Sequence, residues 1–396
     1  MNDPARPLRL TGHLAGLDGV RGLAILMVMA LHFVGDSSAR SLGARLASKV
    51  ANHGAQGVDL FFVLSGFLIT GLLLDAKDGP HYFRNFYARR TLRIFPLYYM
   101  VLAALFLVLP LFVALPPSLE LARQHQLWLW TYTSNFYVAS QSNWSSLTYV
   151  THFWSLAIEE HFYFLWPLVV FRVARGPLER ICVGVIVCGL ALRIGLALGG
   201  VSELAISVLT PCRVDTLCAG GLLAALVRRE AGPEPIVRRS GRAALALGAA
   251  LVALSLWGKI TTFGVIVTHQ VESTVYAFFF GALCLMSLQP RSSLVARAFQ
   301  ARIPRFFGKY SYGLYVYHGI LTRYLLDIRA EDRLEAMLGD RSLAIAAKTT
   351  LGVGVSVLVA VLSYQLLEKR FLELKRFFEA RKAAAARVNL EAAGGL

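Results

Sequence analysis

Two ionisable residues, Arg21 and His32, interrupt the first apolar run of the sequence. They are eleven positions apart, about three helical turns, so both side chains project from nearly the same face, roughly 16 Å apart along the axis. An ionisable residue in an apolar helix is costly, which favours a functional role for each. A neutral imidazole accepts a proton near pH 7, so His32 is a candidate general base. Two structural alternatives stay open: Arg21 reaching the surface beside Asp18, and His32 as a satisfied polar residue between helices.

Carboxylates enter two other apolar runs. Glu159 and Glu160 are followed by His161, and a carboxylate beside a histidine can do general acid–base work. Adjacent helical positions point about 100° apart, so the two glutamates cannot both face one site well. An interfacial cluster within an aromatic belt is the alternative. Asp59 stands near the start of its run and either orients a histidine or caps the helix from the outer surface.

Three arginines, Arg89, Arg90 and Arg93, lie between the second and third apolar runs, in a segment expected to be a cytoplasmic loop. If this segment is helical, Arg89 and Arg93 share a face, since they are four positions apart. Guanidinium groups grip phosphate in bidentate fashion, which predicts a docking site for a polyphosphate ligand. The alternative is a plain anchor at the inner membrane surface.

Polar residues also mark the sixth and ninth apolar runs. Arg213 and Asp215 are expected to line a polar interior or to pair with each other. His318 ends the tyrosine-rich segment 310–318, whose tyrosines are expected to form an interfacial belt rather than a catalytic set.

Composition places these residues in a membrane protein. The chain has 396 residues, of which 56% are hydrophobic and 16% charged, whereas soluble domains carry about 25% charged residues. The net charge of +16 does not indicate a nucleic-acid partner, because the basic residues cluster in short loops between apolar runs. The five cysteines form no CxxC pair, so neither a disulfide framework nor a metal site is expected.

Ten apolar runs are long enough to be spanning helices. They cover 14–34, 57–74, 97–115, 153–173, 181–198, 204–227, 243–257, 265–288, 310–326 and 344–367. The distribution of Lys and Arg between alternate loops predicts that both termini are cytoplasmic. We therefore expect an all-α integral membrane protein with a cytoplasmic N-terminus at 1–13, a ten-span domain at 14–367 and a basic cytoplasmic tail at 368–396.

Six segments together resemble the membrane-bound acyltransferase family 3, the O-acyltransferases of bacterial surface polysaccharides and related acceptors. They are LDGVRGLAILMVMALH (17–32), GVDLFFVLSGFLIT (57–70), FYARRTLRIFPLYY (86–99), FWSLAIEEHFYFLWPL (153–168), CRVDTLCAGG (212–221) and YSYGLYVYH (310–318). The segments follow the family's order and cover nearly the whole chain. An arginine, ten intervening residues and a histidine in the first span are the family's marker.

The resemblance implies a multi-pass enzyme of the bacterial cell membrane that takes an acyl group, most simply acetyl, from acyl-CoA on the cytoplasmic side. The acceptor would be a hydroxyl of a saccharide, glycolipid or macrolide. The length is similar to that of stand-alone family members without an extracytoplasmic hydrolase-like domain. Acyl-CoA is then a donor substrate, and neither a resident cofactor nor a metal is expected. The sequence does not predict the oligomeric state.

The resemblance and the residues together suggest roles. His32 takes the proton of the acceptor hydroxyl, Glu159 or Asp59 fixes its tautomer, and Arg21 binds a donor phosphate or neutralises the oxyanion. Direct transfer and an acyl-histidine intermediate both remain open. Donor phosphates are assigned to the three-arginine group, and substrate contacts to Glu160, Trp154, Arg213, Asp215 and His318. The rival hypothesis is a transporter or flippase for a glycan or lipid, in which the same ionisable residues line a path.

Overall fold

The computed structural model describes residues 14–35, 42–258 and 262–378. Within these ranges the chain forms helices and no strand, so the all-α prediction is confirmed. The α-helices are α1 (Ala15–Ala30), α2 (Leu42–Asn52), α3 (Gln56–Ala76), α4 (Tyr82–Ala103), α5 (Pro117–Gln124), α6 (Leu127–Trp130), α7 (Ser134–Gln141), α8 (Trp154–Arg172), α9 (Arg175–Leu198), α10 (Glu203–Val208), α11 (Thr210–Leu226), α12 (Glu234–Trp257), α13 (Thr262–Ser287), α14 (Leu294–Phe299), α15 (Arg302–Asp327), α16 (Ala330–Leu338), α17 (Arg341–Ser363) and α18 (Lys369–Glu373). Short π-helical turns extend α1, α4 and α17, at Leu31–Gly35, Ala104–Val108 and Tyr364–Glu368.

Each of the ten predicted apolar runs overlaps one long helix: α1, α3, α4, α8, α9, α11, α12, α13, α15 or α17. In the described part of the chain, six continuous helical stretches are long and apolar enough to cross a bilayer. They are Ala15–Gly35, Leu42–Ala76, Tyr82–Leu111, Arg175–Leu198, Glu234–Trp257 and Arg341–Phe378. The chain is therefore a multi-pass membrane protein. Ten crossings and two cytoplasmic termini stay predictions, and the segments 1–13 and 379–396 lie outside the described residues.

Two predicted elements differ from the structure. Helix α4 begins at Tyr82, so the arginine group lies on a helix and not in a loop. Its first half carries Arg84, Arg89, Arg90 and Arg93, so a search for uniformly apolar runs does not detect it. The predicted run 204–227 is two helices, α10 and α11, separated by an extended residue at Leu209. Pro211 then occupies the first turn of α11, where a missing N–H is tolerated.

Glycines allow two helix pairs at the centre of the bundle to touch through their backbones. A Cβ atom on Gly66 of α3 would collide with the carbonyl oxygen of Leu217 on α11, and one on Gly220 would collide with that of Val63. The pair α1 and α15 is built in the same way, with Gly22 against Pro304. Small residues at such crossings are the usual means of packing membrane helices.

Successive long helices run in alternating directions, so their ends gather on two opposite faces. On one face, Lys77 after α3 donates to the carbonyl of Val173 after α8 at 2.7 Å, and Arg228 after α11 bonds Asp75 at 2.8 Å. We call this end the basic face. At the other end, Tyr149 donates to Asp327 at the end of α15, at 2.6 Å. The site residues are distributed between these two ends.

Candidate active site

An internal cavity of about 310 Å³ lies between α1, α3, α4, α8 and α15. Most of its wall is apolar and includes Phe61, Leu68, Leu72 and Leu156. We call it the apolar cavity. Its cationic lining residues are Arg21, Arg89, Arg90, Arg93 and Lys375. Arg21, the three predicted phosphate ligands of α4 and the lysine of the C-terminal segment thus surround one cavity near the basic face.

The arginines of α4 are arranged as their spacing predicts. Arg89 and Arg93 line the same cavity, since residues four apart share a helical face. The guanidinium of Arg90 lies 4.3 Å from the ring centre of Tyr163, and its Nε is buried with no hydrogen-bond partner in the described part of the chain. Arg21 bonds Asp18 at 3.3 Å, the partner that the sequence suggested, and also lines the cavity.

A second cavity, of about 370 Å³, lies beside the first on the basic face. Its wall is mainly charged, and we call it the polar cavity. The charged residues in its wall are Arg21, Arg93, Arg305, Lys309, Asp18 and Glu368. Arg21, Arg93 and Tyr312 line both cavities, so these three side chains form a shared wall.

Tyr315 and Ser155 stand in the wall of the apolar cavity, toward the opposite face. Their hydroxyl oxygens are 2.5 Å apart, and the Tyr315 hydroxyl also donates to the carbonyl of His152 at 2.9 Å. Tyr315 is buried, with its ring 5.5 Å from the rings of both His152 and His318. The tyrosine therefore separates the apolar cavity from a group of histidines.

Three histidines, His32, His152 and His318, form this histidine cluster. Ring centres lie 4.9 Å apart for His32 and His318, and 5.1 Å apart for His152 and His318. Nδ1 of His32 is 2.8 Å from the carbonyl of Val28, and Nδ1 of His318 is 3.0 Å from that of Leu314. A carbonyl only accepts, so both Nδ1 atoms carry the proton and Nε2 is the basic nitrogen of each neutral ring.

His318 and His32 are also distinguished by their surroundings. His318 is fully buried, and its Nε2 has no hydrogen-bond partner within the described ranges. His32 lies in the π-helical turn Leu31–Gly35 at the end of α1. Such turns occur often at functional sites. In the described residues, no group of three metal-ligating side chains is arranged to hold a metal ion.

The two glutamates of α8 point in different directions, as the 100° rotation predicts. Glu159 lines the apolar cavity and interacts with Ser65, Tyr163 and Arg90. Glu160 is absent from that wall, and its Oε1 is buried without a hydrogen-bond partner among the described residues. Trp154 packs edge-on against the ring of Phe62, at 6.2 Å between ring centres, and is likewise not part of the cavity wall.

Arg213 and Asp215 do not pair with each other, so that part of the sequence prediction is wrong. Residues two apart on a helix face different neighbours. Arg213 bonds Asp59 of α3 at 2.5 Å, and Asp215 bonds Arg193 of α9 at 2.5 Å. Asp59 therefore has an arginine as its partner, and Nδ1 of His32 bonds a carbonyl of its own helix.

The tyrosines of α15 are not the interfacial belt that we expected. Tyr310 and Tyr315 are buried, and Tyr312 lies in the wall shared by the two cavities. Sequence reasoning also missed His152 and Arg193 as site or core residues. Arg193 had a usable signal, because it is an arginine inside an apolar run. His152 carried none beyond its place next to the fourth run.

Comparison with known proteins identifies the family of this chain. The family model described as an acyltransferase domain matches residues 14–364, nearly the whole chain. The chain belongs to this acyltransferase family. It is 26% identical over 375 residues to the peptidoglycan O-acetyltransferase OatA of Listeria monocytogenes, covering 90% of this chain and 55% of that protein. It is 28% identical over 329 residues to the O-acetyltransferase OatA of Staphylococcus aureus, covering 77% of this chain and 50% of that protein.

The chain thus spans about half the length of these two curated relatives. No solved structure matches it. The family resemblance inferred from the motifs is confirmed, and the arginine and histidine of the family marker both lie in the region of the cavities and the histidine cluster.

Proposed function

We propose that this family member is an O-acyltransferase that moves an acetyl group from acetyl-CoA to a hydroxyl of a saccharide, with His32 as the general base. Two relatives are named O-acetyltransferases, one of them for peptidoglycan. Peptidoglycan fragments are therefore the first acceptors to test, before glycolipids and macrolides. The proposal assigns the basic face to the cytoplasm, where coenzyme A is available.

One observation carries the proposal: a cavity with arginines in its wall near the basic face reaches Tyr315, and the histidine cluster lies directly behind that tyrosine. Arg89, Arg90 and Arg93 offer guanidinium groups to the donor's diphosphate. The long apolar wall suits the pantetheine arm, whose thioester would then lie toward Tyr315. A donor in the cavity would therefore have its diphosphate beside the cations and its thioester near the imidazoles.

The reaction follows from the tautomer of His32. Since Nδ1 donates to Val28, Nε2 is the basic nitrogen of the neutral ring, and we assign it to take the proton of the acceptor hydroxyl. The hydroxyl oxygen attacks the thioester carbonyl, the carbon–sulfur bond breaks, and the thiolate takes the proton from the imidazolium. Free coenzyme A and an O-acetyl ester are the products. A positioned base of this kind contributes about 10²–10⁴-fold in rate.

Arg21 and Glu159 also line the apolar cavity, which suggests supporting roles for both. Arg21 is on the phosphate side, so we assign it to a donor phosphate. Glu159 interacts with Arg90, and we propose that it holds this guanidinium toward the donor. Asp59 and Arg213 form a structural pair in this account.

The direct test is transfer of radiolabelled acetyl from acetyl-CoA to peptidoglycan fragments by the purified chain in lipid nanodiscs. We expect labelled product with the wild type and a loss of at least about 100-fold with His32→Ala, as removal of a general base implies. His53→Ala, which lies outside the histidine cluster, is the matched control and should retain activity. Full activity of His32→Ala in correctly inserted protein would contradict the assigned base.

A further inference from the structure

The polar cavity holds more positive than negative charge. Four cationic residues line it, Arg21, Arg93, Arg305 and Lys309, against two carboxylates, Asp18 and Glu368. Its volume of about 370 Å³ lies within the range of small-ligand sites. Because Arg21 and Arg93 also line the apolar cavity, an anion bound here lies next to whatever occupies that cavity.

Two of these cations have no carboxylate partner within the described ranges. Nε of Arg305 is buried without a hydrogen-bond partner there. The ammonium of Lys309 lies 5.1 Å from the ring centres of both Tyr310 and Tyr364. Arg305 is partly buried and Lys309 is exposed, so an anion would satisfy Arg305 in particular, because a buried charge is normally paired or hydrogen-bonded. Arg305 and Lys309 are four apart on α15, so one ligand can contact both.

We infer that the polar cavity binds the 3′-phosphate of coenzyme A. The inference rests on the proposed function and names a part of the donor that the three arginines of α4 leave unassigned. With the pantetheine arm in the apolar cavity, the diphosphate lies beside Arg89 and Arg90. The ribose follows the diphosphate, and its 3′-phosphate branches sideways toward the adjoining cavity. Arg93, in the shared wall, then lies between the two phosphate-bearing positions.

The chemistry of the lining favours a phosphate over a singly charged anion. An arginine fork recognises phosphate oxygens with two bonds, and a lysine adds a mobile point charge. Glu368 also lines the cavity and would repel the anion, so at least two facing cations are needed to outweigh it. A lipid phosphate has the same chemistry and is the competing source, which the experiment must separate from the donor.

The test compares equilibrium binding of coenzyme A and 3′-dephospho-coenzyme A to the full chain in phosphatidylcholine nanodiscs. Since a charge-assisted bond contributes about 10- to 150-fold in affinity, the wild type should bind coenzyme A at least about tenfold more tightly. Arg305→Gln and Lys309→Gln should reduce that preference about tenfold by weakening coenzyme A alone. Arg302→Gln, an exposed position on the same helix that lines neither cavity, should keep it.

Three results would overturn the inference: equal wild-type affinity for the two ligands, no binding of either, or variants that weaken both ligands equally. Variants that keep the preference but change the response to added phosphatidylglycerol would assign the cavity to a lipid instead. Thermal unfolding checks that each variant is folded. The proposed function fails separately, if coenzyme A binds with the expected preference but acetyl-CoA supports no transfer.

Discussion

Arginine is used in two different ways in this bundle. Arg193 is fully buried between α9, α11 and α13, and its guanidinium bonds Asp215 at 2.5 Å, the carbonyl of Cys212 at 2.8 Å and Thr274 at 2.6 Å. Arg90 and Arg305 line cavities on the basic face, and neither guanidinium forms an ion pair with a carboxylate in the part of the chain that the structure describes.

The difference between these groups is the carboxylate partner, since Nε of Arg193 is also buried without a hydrogen-bond partner among the described residues. A buried arginine whose charge is balanced by a carboxylate of another helix holds the two helices together. A cation in a cavity with unused donors is poorly satisfied until an anion binds. We therefore assign a structural role to Arg193 and Arg213, which bond a carboxylate of another helix, and donor binding to the arginines that line the two cavities.

Removal of Arg193 should have the largest effect, and the quantity that it changes is the stability of the fold. Arg193→Leu leaves Asp215 as a buried charge without its partner, which should destabilise the fold by about 3–5 kcal/mol. Thermal unfolding in detergent measures the loss. The double variant Arg193→Leu/Asp215→Leu removes the orphaned charge and should recover much of it, because an apolar pair often replaces a buried ion pair well. A single variant with wild-type stability but weaker donor binding would contradict the structural assignment.

Arg93 tests the ligand-binding group with a smaller effect. Arg93→Ala should raise the KM for acetyl-CoA, and not that for the acceptor, by about 10- to 150-fold, or about 1.5–3 kcal/mol. Much of the loss should persist in Arg93→Lys, because lysine lacks the bidentate fork. Arg84→Lys, at an exposed position on the same helix, is the control and should not change KM. If Arg93→Lys keeps wild-type donor affinity, the residue is only a topological anchor.

Tyr315 lies between the cations of the apolar cavity and the histidine cluster, and its substitution should have the smallest effect on activity. Tyr315→Phe removes the hydroxyl that bonds Ser155 and the carbonyl of His152. A lost neutral hydrogen bond of about 0.5–1.5 kcal/mol should lower kcat by about 2- to 12-fold with the donor KM unchanged. Tyr317→Phe, which loses only a 3.0 Å bond to Ser363, is the control. A loss as large as that expected for His32→Ala would instead place Tyr315 in the chemical step.

Much of this arrangement can be predicted from the sequence, because the length and apolar character that a bilayer demands of a helix are local properties of the chain. Ten apolar runs overlap ten long helices, and the spacing of Arg89 and Arg93 predicts their shared face. The partners of Asp59 and Asp215 were not predictable, because each pair joins residues of different helices, and register between helices depends on packing that no local pattern encodes. The start of α4 was missed because the arginines of its cavity-lining half interrupt the apolar run. His152 becomes a site residue only when α8 and α15 are packed together.

The central claim is that the bound donor extends from the cations of the basic face to Tyr315, in front of the histidine cluster. A cryo-electron microscopy structure of the His32→Ala variant with acetyl-CoA tests it directly, since the thioester is not consumed. We predict the diphosphate beside Arg89 and Arg93, the pantetheine arm in the apolar cavity, and the thioester next to Tyr315 on the side of residue 32. Nucleotide density at the opposite face, or a pantetheine arm outside the cavity, would contradict the account.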